Sequence, residues 1–527
     1  MGSHSSNSLA LISAILLIAG SIQSISCLWM NTKSRRHGGL GAPNLHADVP
    51  LPPDEWFHQK LDHFNAAHKA FWKQRYQTNG DFYKAGGPVF LMIGGEGEIT
   101  AKWMATGAWI DYAKKYNALC FQLEHRFYGQ SHPTEDMSVE NMGLLNSEQA
   151  LADLAWFIRG MNRKYKLPKD TKWIAFGGSY PGSLAAWLRY KYPHLVYGAI
   201  SSSGPLLAKA DFSEYFDVVR TSLVRESGYG CADTITQAYN IIYNKFRNET
   251  ERPMLREHFK QSQRRMLIPI CCKIYSLCDS LEYNFADLTN LYSELSDNIA
   301  EVVQYNKDNR QSATNLTINS VCDILTNYSL GCPLMRFAKL NEYILNKTDT
   351  MCLDFKYNKM IQKYNETSWE GPDASSRVAS RSWYYQTCTE FGFYQTSGEP
   401  QNLLGSSIPL EFYQKMCSDI FGSAFNEKLL DQAIDETNTM YGALSLHVNR
   451  TVFVHGTVDP WHVLGVTKKG YPGAKVIIIK GAAHCANMYE ESEEDTPQLK
   501  HARKEISDML GVWLKETHQY PFFDSTK

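Results

Sequence analysis

The sequence predicts an α/β fold on a mainly parallel sheet, interrupted by a mainly helical, cysteine-bearing insertion. Three observations predict it. From about residue 85, short runs that are apolar throughout alternate with segments of helical spacing. Strands read this way when helices cover both faces of a parallel sheet. The alternation stops after Gly204-Pro205 and resumes near residue 451. Between those points few runs look like strands, and Tyr, Asn, Ser and charged residues dominate.

Taken in order, Val89-Phe90-Leu91-Met92-Ile93 leads into Gly94-Gly95-Glu96-Gly97-Glu98, and Ala118-Leu119-Cys120-Phe121-Gln122-Leu123 leads into Glu124-His125-Arg126. Residues 147–160 set Leu151, Leu154, Ala155 and Ile158 on one helical face. Trp173-Ile174-Ala175-Phe176 leads into Gly177-Gly178-Ser179, followed by a helical segment and a strand over residues 197–203. Such βα alternation implies right-handed crossovers. Within the insertion, residues 279–306 read as amphipathic helix. Strands return at Thr451-Val452-Phe453-Val454 and Lys475-Val476-Ile477-Ile478-Ile479, and residues 497–517 form the last helix. The expected division is a signal peptide over 1–26, a loose segment over 27–50, core over 51–205, insertion over 206–380 and core again over 381–527.

At roughly 150 residues per domain, 527 residues point to two or three domains. Lys plus Arg is 53 and Asp plus Glu is 55, a net charge of −2, which excludes a basic nucleic-acid binder. An aromatic content of 13% excludes a disordered chain. Residues 9–20 are an apolar run too short for a bilayer core of about 30 Å, and Ser24 and Ser26 offer a cleavage site before Cys27. The alternative is an uncleaved anchor. No other stretch is apolar enough to span, so no membrane span is expected after signal removal.

Six Asn-x-Ser/Thr sequons, at Asn248, Asn315, Asn327, Asn346, Asn365 and Asn449, fit the secretory route. So does the cysteine placement, nine of twelve lying between Cys231 and Cys417. An oxidising compartment pairs many of them, with a connectivity the sequence does not define. Cys271-Cys272 and Cys278 lack the paired C-x-x-C knuckles of a zinc site, so neither metal nor cofactor is expected. The C-terminal Asp524-Ser525-Thr526-Lys527 is no retention signal or lipid anchor, which leaves a secreted or lysosomal destination.

The strongest chemical signal is Phe176-Gly177-Gly178-Ser179-Tyr180-Pro181-Gly182. A strand, a Gly-flanked Ser and a helix make a nucleophile elbow, whose turn is too sharp for a Cβ at its glycines. The usual G-x-S-x-G spacing has Pro181 at its fifth position here. Proline in the first turn of a helix gives up only an N–H with no helical partner, and the oxyanion donor, the N–H of Tyr180, is intact. The bland alternative is a Gly-Ser turn without chemistry. The acid and base should follow in the order Ser, acid, His. Asp459, in His455-Gly456-Thr457-Val458-Asp459-Pro460-Trp461, and His484, in Gly481-Ala482-Ala483-His484-Cys485, each follow a predicted strand. That is where open α/β sheets place their sites. A second oxyanion donor is expected among Gly95, Glu96 and Gly97, where glycines let backbone N–H groups approach a carbonyl. His125 and His455 are rival bases of lower rank, and residues 124–129 are expected to form a buried polar framework. Cys485 reads as a packing or disulfide residue rather than a nucleophile. Glu390 and Trp461 are candidate substrate contacts, Glu390 as the partner of an amino terminus.

These segments resemble the serine peptidase family of lysosomal Pro-X carboxypeptidase, dipeptidyl peptidase II and thymus-specific serine protease. The resemblance also rests on Phe57-His58-Gln59-Lys60-Leu61-Asp62-His63-Phe64, Gln74-Arg75-Tyr76, residues 124–131, residues 147–153, Leu184-Ala185-Ala186-Trp187 and Tyr385-Gln386-Thr387-Cys388-Thr389-Glu390-Phe391-Gly392. It implies an α/β-hydrolase core with a helical cap inserted after the elbow unit, exopeptidase action commonly after proline, and Ser179, Asp459 and His484 as the triad. Pro181 and Cys485 depart from the two lysosomal members and resemble the thymus-specific branch. A peptide is the expected substrate, a homodimer is compatible with the sequence, and amino- versus carboxy-terminal action is open. Two rivals stand beside this reading. One is a lidded esterase, although the insertion is polar. The other is a non-enzymatic binding protein of hydrolase fold, although such proteins typically lose a triad member.

Overall fold

A computed structural model describes residues 40–516 except 46–47, 249, 252–276, 280–281, 308–315, 400–401 and 469–470. The strands in chain order are β1 Glu55–Lys60, β2 Phe71–Asn79, β3 Val89–Ile93, β4 Leu119–Leu123, β5 Trp173–Gly178, β6 Gly198–Ser202, β7 Lys209–Asp211, β8 Gly392–Tyr394, β9 Thr451–Gly456 and β10 Lys475–Ile479. Eight of them form one sheet in the order β1-β2-β4-β3-β5-β6-β9-β10. β2 runs antiparallel to β1 and β4, and every other neighbouring pair in that sheet is parallel. The chain winds from β3 outward to β4 and then back across to β5. This reversal opens a crevice beyond the carboxyl ends of β3 and β5, where doubly wound sheets bind ligands.

Both faces of the sheet are covered, which explains strands that are apolar at every position. Val89, Leu91, Ile93, Phe121 and Trp173 share a buried cluster with Leu154, Phe157 and Ile158 of the helix Ser147–Lys164 and Leu184 and Leu188 of the helix Tyr180–Lys191. The alternate positions Phe90, Met92, Ile174 and Phe176 pack with Trp109 and Ile110 of the helix Ala108–Tyr116 and Leu510 and Trp513 of the helix Pro497–Lys515. Each fully buried Leu, Ile or Phe stabilises the fold by about 1.5–3 kcal/mol relative to exposure. Local signals agree with the packing. Asn146 starts the helix Ser147–Lys164 by accepting the Gln149 N–H at 2.8 Å, and Arg163 and Lys164 meet its negative end.

Among the described residues, the eight-stranded sheet receives no strand between Ser202 of β6 and Thr451 of β9. The chain instead builds a cap from helices that include Glu214–Ser227, Tyr229–Arg247, Phe285–Gln304, Ile318–Leu325 and Pro333–Lys347. Ile235, Leu295, Ile299 and Phe337 of these helices are buried in one cluster with the sheet face. Disulfides Cys231–Cys322, Cys278–Cys352 and Cys388–Cys417 fasten it. The last of these, the pairing of β7 with β8, and the helices Leu410–Phe421 and Glu427–Tyr441 all lie on or involve chain beyond residue 380 and before β9.

Among the described cysteines, Cys120, Cys332 and Cys485 form no disulfide, and Cys485 is buried. Asn248, Asn327, Asn346, Asn365 and Asn449 are exposed. Asn315, Cys271, Cys272 and the expected signal peptide lie outside the described residues. No helix among the described residues is long and apolar enough to cross a membrane.

Candidate active site

Ser179 stands between β5 and the helix Tyr180–Lys191 with φ 63° and ψ −136°. A non-glycine residue at positive φ is costly and clusters at functional sites. The turn is held because the Ser179 N–H donates to the Ser202 carbonyl on β6 at 2.9 Å. Its glycines are required by close approach. A Cβ at Gly177 would lie 2.0 Å from the Pro181 carbonyl oxygen, and one at Gly182 would lie 2.7 Å from the Ser202 carbonyl oxygen. Pro181 is accommodated at the start of the helix, and its ring packs on the loop after β3. There a Cβ at Gly95 would lie 2.2 Å from Pro181 Cγ.

Asp459 follows β9 and His484 follows β10. Asp459 Oδ1 lies 2.8 Å from His484 Nδ1, and the two side chains are 0% and 1% exposed. Asp459 also accepts the Trp461 N–H at 3.0 Å, which caps the short helix Pro460–Leu464 and fixes the carboxylate. Cys485, at φ 55°, donates its N–H to Ser203 Oγ at 2.9 Å, and the His484 N–H donates to the Gln304 carbonyl of the cap at 2.8 Å. Burial pushes the Asp459 carboxyl up, but the His484 imidazole outweighs it and holds Asp459 below the usual carboxylate range. Burial pulls His484 down, and the Asp459 carboxylate more than reverses it, raising the imidazole well above its ordinary value.

The loop over residues 94–98 borders a cavity with Trp103, Gly178, Pro181 and Met488. Glu96 turns its side chain toward Ser179. Its carboxyl is raised by burial, against its own N–H, the charge of His484 and the Ser179 hydroxyl, and its Oε2 is buried without a hydrogen-bond partner. The sequence marked Glu96 only for its backbone; the side chain is an addition that the fold supplies.

Behind the elbow lies the expected buried polar framework. Arg75 pairs with Glu124 at 2.6 Å, and Arg126 pairs with Asp153 at 2.7 Å. His125 Nδ1 lies 2.7 Å from the Arg126 carbonyl and Nε2 lies 3.1 Å from the Tyr180 hydroxyl. Burial lowers this imidazole to about 4. The other rival, His455, is 1% exposed on β9, with both ring nitrogens unpartnered, and burial lowers it to about 4 as well.

Glu390 sits in a π-helical turn, Thr387–Phe391. Its carboxyl accepts from the Ser147 N–H at 2.9 Å, from Ser147 Oγ at 2.6 Å and from Gln386 Nε2 at 3.2 Å. These bonds turn it to the N-terminus of the helix Ser147–Lys164 rather than to a peptide's amino terminus. Gln386 also donates to the Tyr180 hydroxyl at 3.1 Å, so Glu390 braces the residue after Ser179.

Burial raises Glu390 to about 7, against the Ser147 and Gln386 donors. An acid with a raised folded pKa holds its proton more tightly in the folded state. Its contribution to stability is complete below 4.5 and is lost as the pH rises through about 7. Glu390→Gln, uncharged throughout, is expected to shrink the fall in melting temperature between about pH 5 and about pH 8. An equal fall in both proteins, read by thermal unfolding, would refute this assignment of the pH dependence.

Trp461 is partly buried, with Phe212, Tyr215 and Phe393 around its ring at centroid distances of 5.5–5.8 Å. Its indole N–H donates to Gln304 Oε1 at 2.9 Å.

The sequence pattern of the serine carboxypeptidase S28 family matches residues 59–506. The chain belongs to that family. It is a serine-type peptidase on an α/β-hydrolase core. A Caenorhabditis elegans protein named as a serine protease is 37% identical over 468 residues, 87% of each chain. Human thymus-specific serine protease is 33% identical over 486 residues, 90% of each chain. Human lysosomal Pro-X carboxypeptidase is 28% identical over 530 residues, 97% of this chain and 98% of the relative. Membership in the S28 family and the lean toward the thymus-specific branch are thus as the motifs implied.

Proposed function

We propose that this S28 peptidase is a serine exopeptidase of the secretory pathway, secreted or lysosomal, that removes short pieces from peptide ends after proline or a small residue. The observation that carries the reading is the buried Asp459–His484 pair, 2.8 Å apart and presented at the same sheet edge as the strained Ser179 elbow. Ser179 Oγ attacks the peptide carbonyl while His484 Nε2 takes its proton, since Nδ1 is committed to Asp459. The proton passes to the leaving amine, and water then cleaves the acyl-enzyme by the reverse sequence, regenerating Ser179. The Tyr180 N–H, orphaned in the first helical turn, and an N–H of Gly95, Glu96 or Gly97 hold the oxyanion. The Glu96 carboxyl, which lies near its own N–H and Ser179, moves aside for the substrate carbonyl.

The cap, taken as residues 206–449, restricts access to chain ends. This reading extends the cap beyond the expected 206–380 span, on the ground that among the described residues the large sheet takes no strand before β9. The aromatic group around Trp461, adjacent to Asp459, offers a face for a proline ring. Three disulfides and five exposed sequon asparagines support the secretory route. The test is digestion of a synthetic peptide library, read by mass spectrometry. Loss of one or two residues from an end, after proline, is expected. Cleavage only inside long peptides, or ester hydrolysis without peptide cleavage, would overturn the proposal.

A further inference from the structure

We propose that Gln304 is a positioning residue that ties the cap to the two loops carrying Asp459 and His484. The triad is then held in working geometry only with the cap docked. This inference rests on the triad reading above.

Gln304 is the last residue of the cap helix Phe285–Gln304. The final carbonyls of a helix have no intrahelical donor, so they are open to an outside partner. The Gln304 carbonyl takes the His484 N–H at 2.8 Å. Its side-chain Oε1 takes two more donors, the Trp461 indole at 2.9 Å and the Tyr215 hydroxyl at 2.8 Å. Trp461 in turn donates its backbone N–H to Asp459 Oδ1 at 3.0 Å. One cap residue is therefore bonded to the base itself and to the residue that holds the acid. The next residue, Tyr305, meets the His484 ring edge-on, with centroids 5.9 Å apart and planes at 83°. Tyr215, on the cap helix Glu214–Ser227, meets Trp461 edge-on at 5.8 Å. The loop after β9 and the loop after β10 thus share a brace outside the sheet.

Removing Oε1 leaves the Trp461 and Tyr215 donors without their acceptor, while the main-chain bond to His484 persists. The cost of unpaired donors favours a shift of the Asp459 loop. A misplacement of about 1 Å is worth roughly 10²-fold in rate.

The test uses the full chain and the variants Gln304→Leu, Gln304→Glu, Trp461→Phe and the Gln304→Leu/Trp461→Phe double. Three quantities are read: kcat and KM on a proline peptide, the second-order rate of labelling by a fluorophosphonate, and the melting temperature. Gln304→Leu is expected to lower kcat and the labelling rate by roughly 10- to 100-fold with KM little changed. Gln304→Glu, which keeps the acceptor, is expected to recover most of that loss. The double variant should lose about as much as Gln304→Leu alone, because the one bond that Trp461→Phe deletes is among the two that Gln304→Leu deletes. A Gln304→Leu labelling rate within twofold of wild type overturns the proposal. So does a loss confined to KM, no recovery in Gln304→Glu, or losses that multiply in the double. If Gln304→Leu fails to fold, the fluorophosphonate labelling rate of Trp461→Phe decides, by the same expected loss or its absence, since that probe carries no proline ring to meet the Trp461 face. Absence of labelling at Ser179 in the wild type sinks the triad reading instead. A labelled wild type with an unaffected Gln304→Leu sinks only the role of Gln304.

Discussion

Ser179→Ala is expected to lower kcat by roughly 10⁴- to 10⁶-fold and to abolish fluorophosphonate labelling, with the fold retained. The variant deletes one oxygen. The backbone that makes the elbow survives it, because the Ser179 N–H to Ser202 carbonyl bond and the contacts of Gly177 and Gly182 involve no Ser179 side-chain atom. Alanine is no better suited than serine to φ 63°, so the strain is neither relieved nor increased. What remains is the oxyanion site and peptide binding, which sustain a residual rate above background. The loss should therefore fall in kcat. Hydrolysis of a proline dipeptide anilide at close to the wild-type rate would show that another group is the nucleophile.

Asp459→Asn is expected to reduce kcat by about 10⁴-fold. Asparagine is isosteric and can still accept the Trp461 N–H, so the loop geometry is preserved. The loss comes from the imidazole. The oxygen that accepts the Trp461 N–H is also the one that faces His484 Nδ1, so the neutral amide keeps both bonds, but no carboxylate remains to stabilise the imidazolium. The raised His484 pKa owes its direction to Asp459, acting against burial. Removing the charge lowers that pKa. Base catalysis needs neutral His484, so the acid limb of kcat/KM should move to lower pH in the residual activity. Unchanged turnover, or an acid limb that stays in place, would assign the acid role elsewhere.

Most of the core was legible because β3, β4, β5, β6 and β9 are buried on both faces, and β10, an edge strand with Ile478 exposed, still carries an apolar run. β1 and β2 were not. Gln59, Gln74, Arg75 and Gln77 are buried there, and their polarity hides a strand pattern; Gln59 bonds Gln74 at 2.8 Å and Arg75 pairs with Glu124. Ser179, Asp459 and His484 could be singled out because each follows a strand, and the structure brings Asp459 Oδ1 to 2.8 Å from His484 Nδ1. Glu390 shows the opposite case. A glutamate in a family motif invites a ligand, yet its bonds go to Ser147, which lies 243 positions away in the chain. Gln304 had no signal at all. A glutamine at the end of an amphipathic helix is ordinary, and its contacts arise only when the cap docks.

The pairing of β6 with β9 sets an order on biogenesis. On the ribosome, the edge of β6 at Ala199, Ile200 and Ser201 has no neighbour until Thr451, Val452 and Phe453 have been made. Everything from the helix Glu214–Ser227 to the helix Glu427–Tyr441 is translated in that interval, including all six disulfide-bonded cysteines that the structure describes. The nascent chain therefore carries a half-built sheet with an open apolar edge, the kind of species that aggregates without chaperones. The cap has its covalent staples within reach before Asp459 and His484 have been synthesised. On the proposed triad, the nucleophile is translated so far ahead of its base that no peptide can be cleaved until synthesis is almost complete.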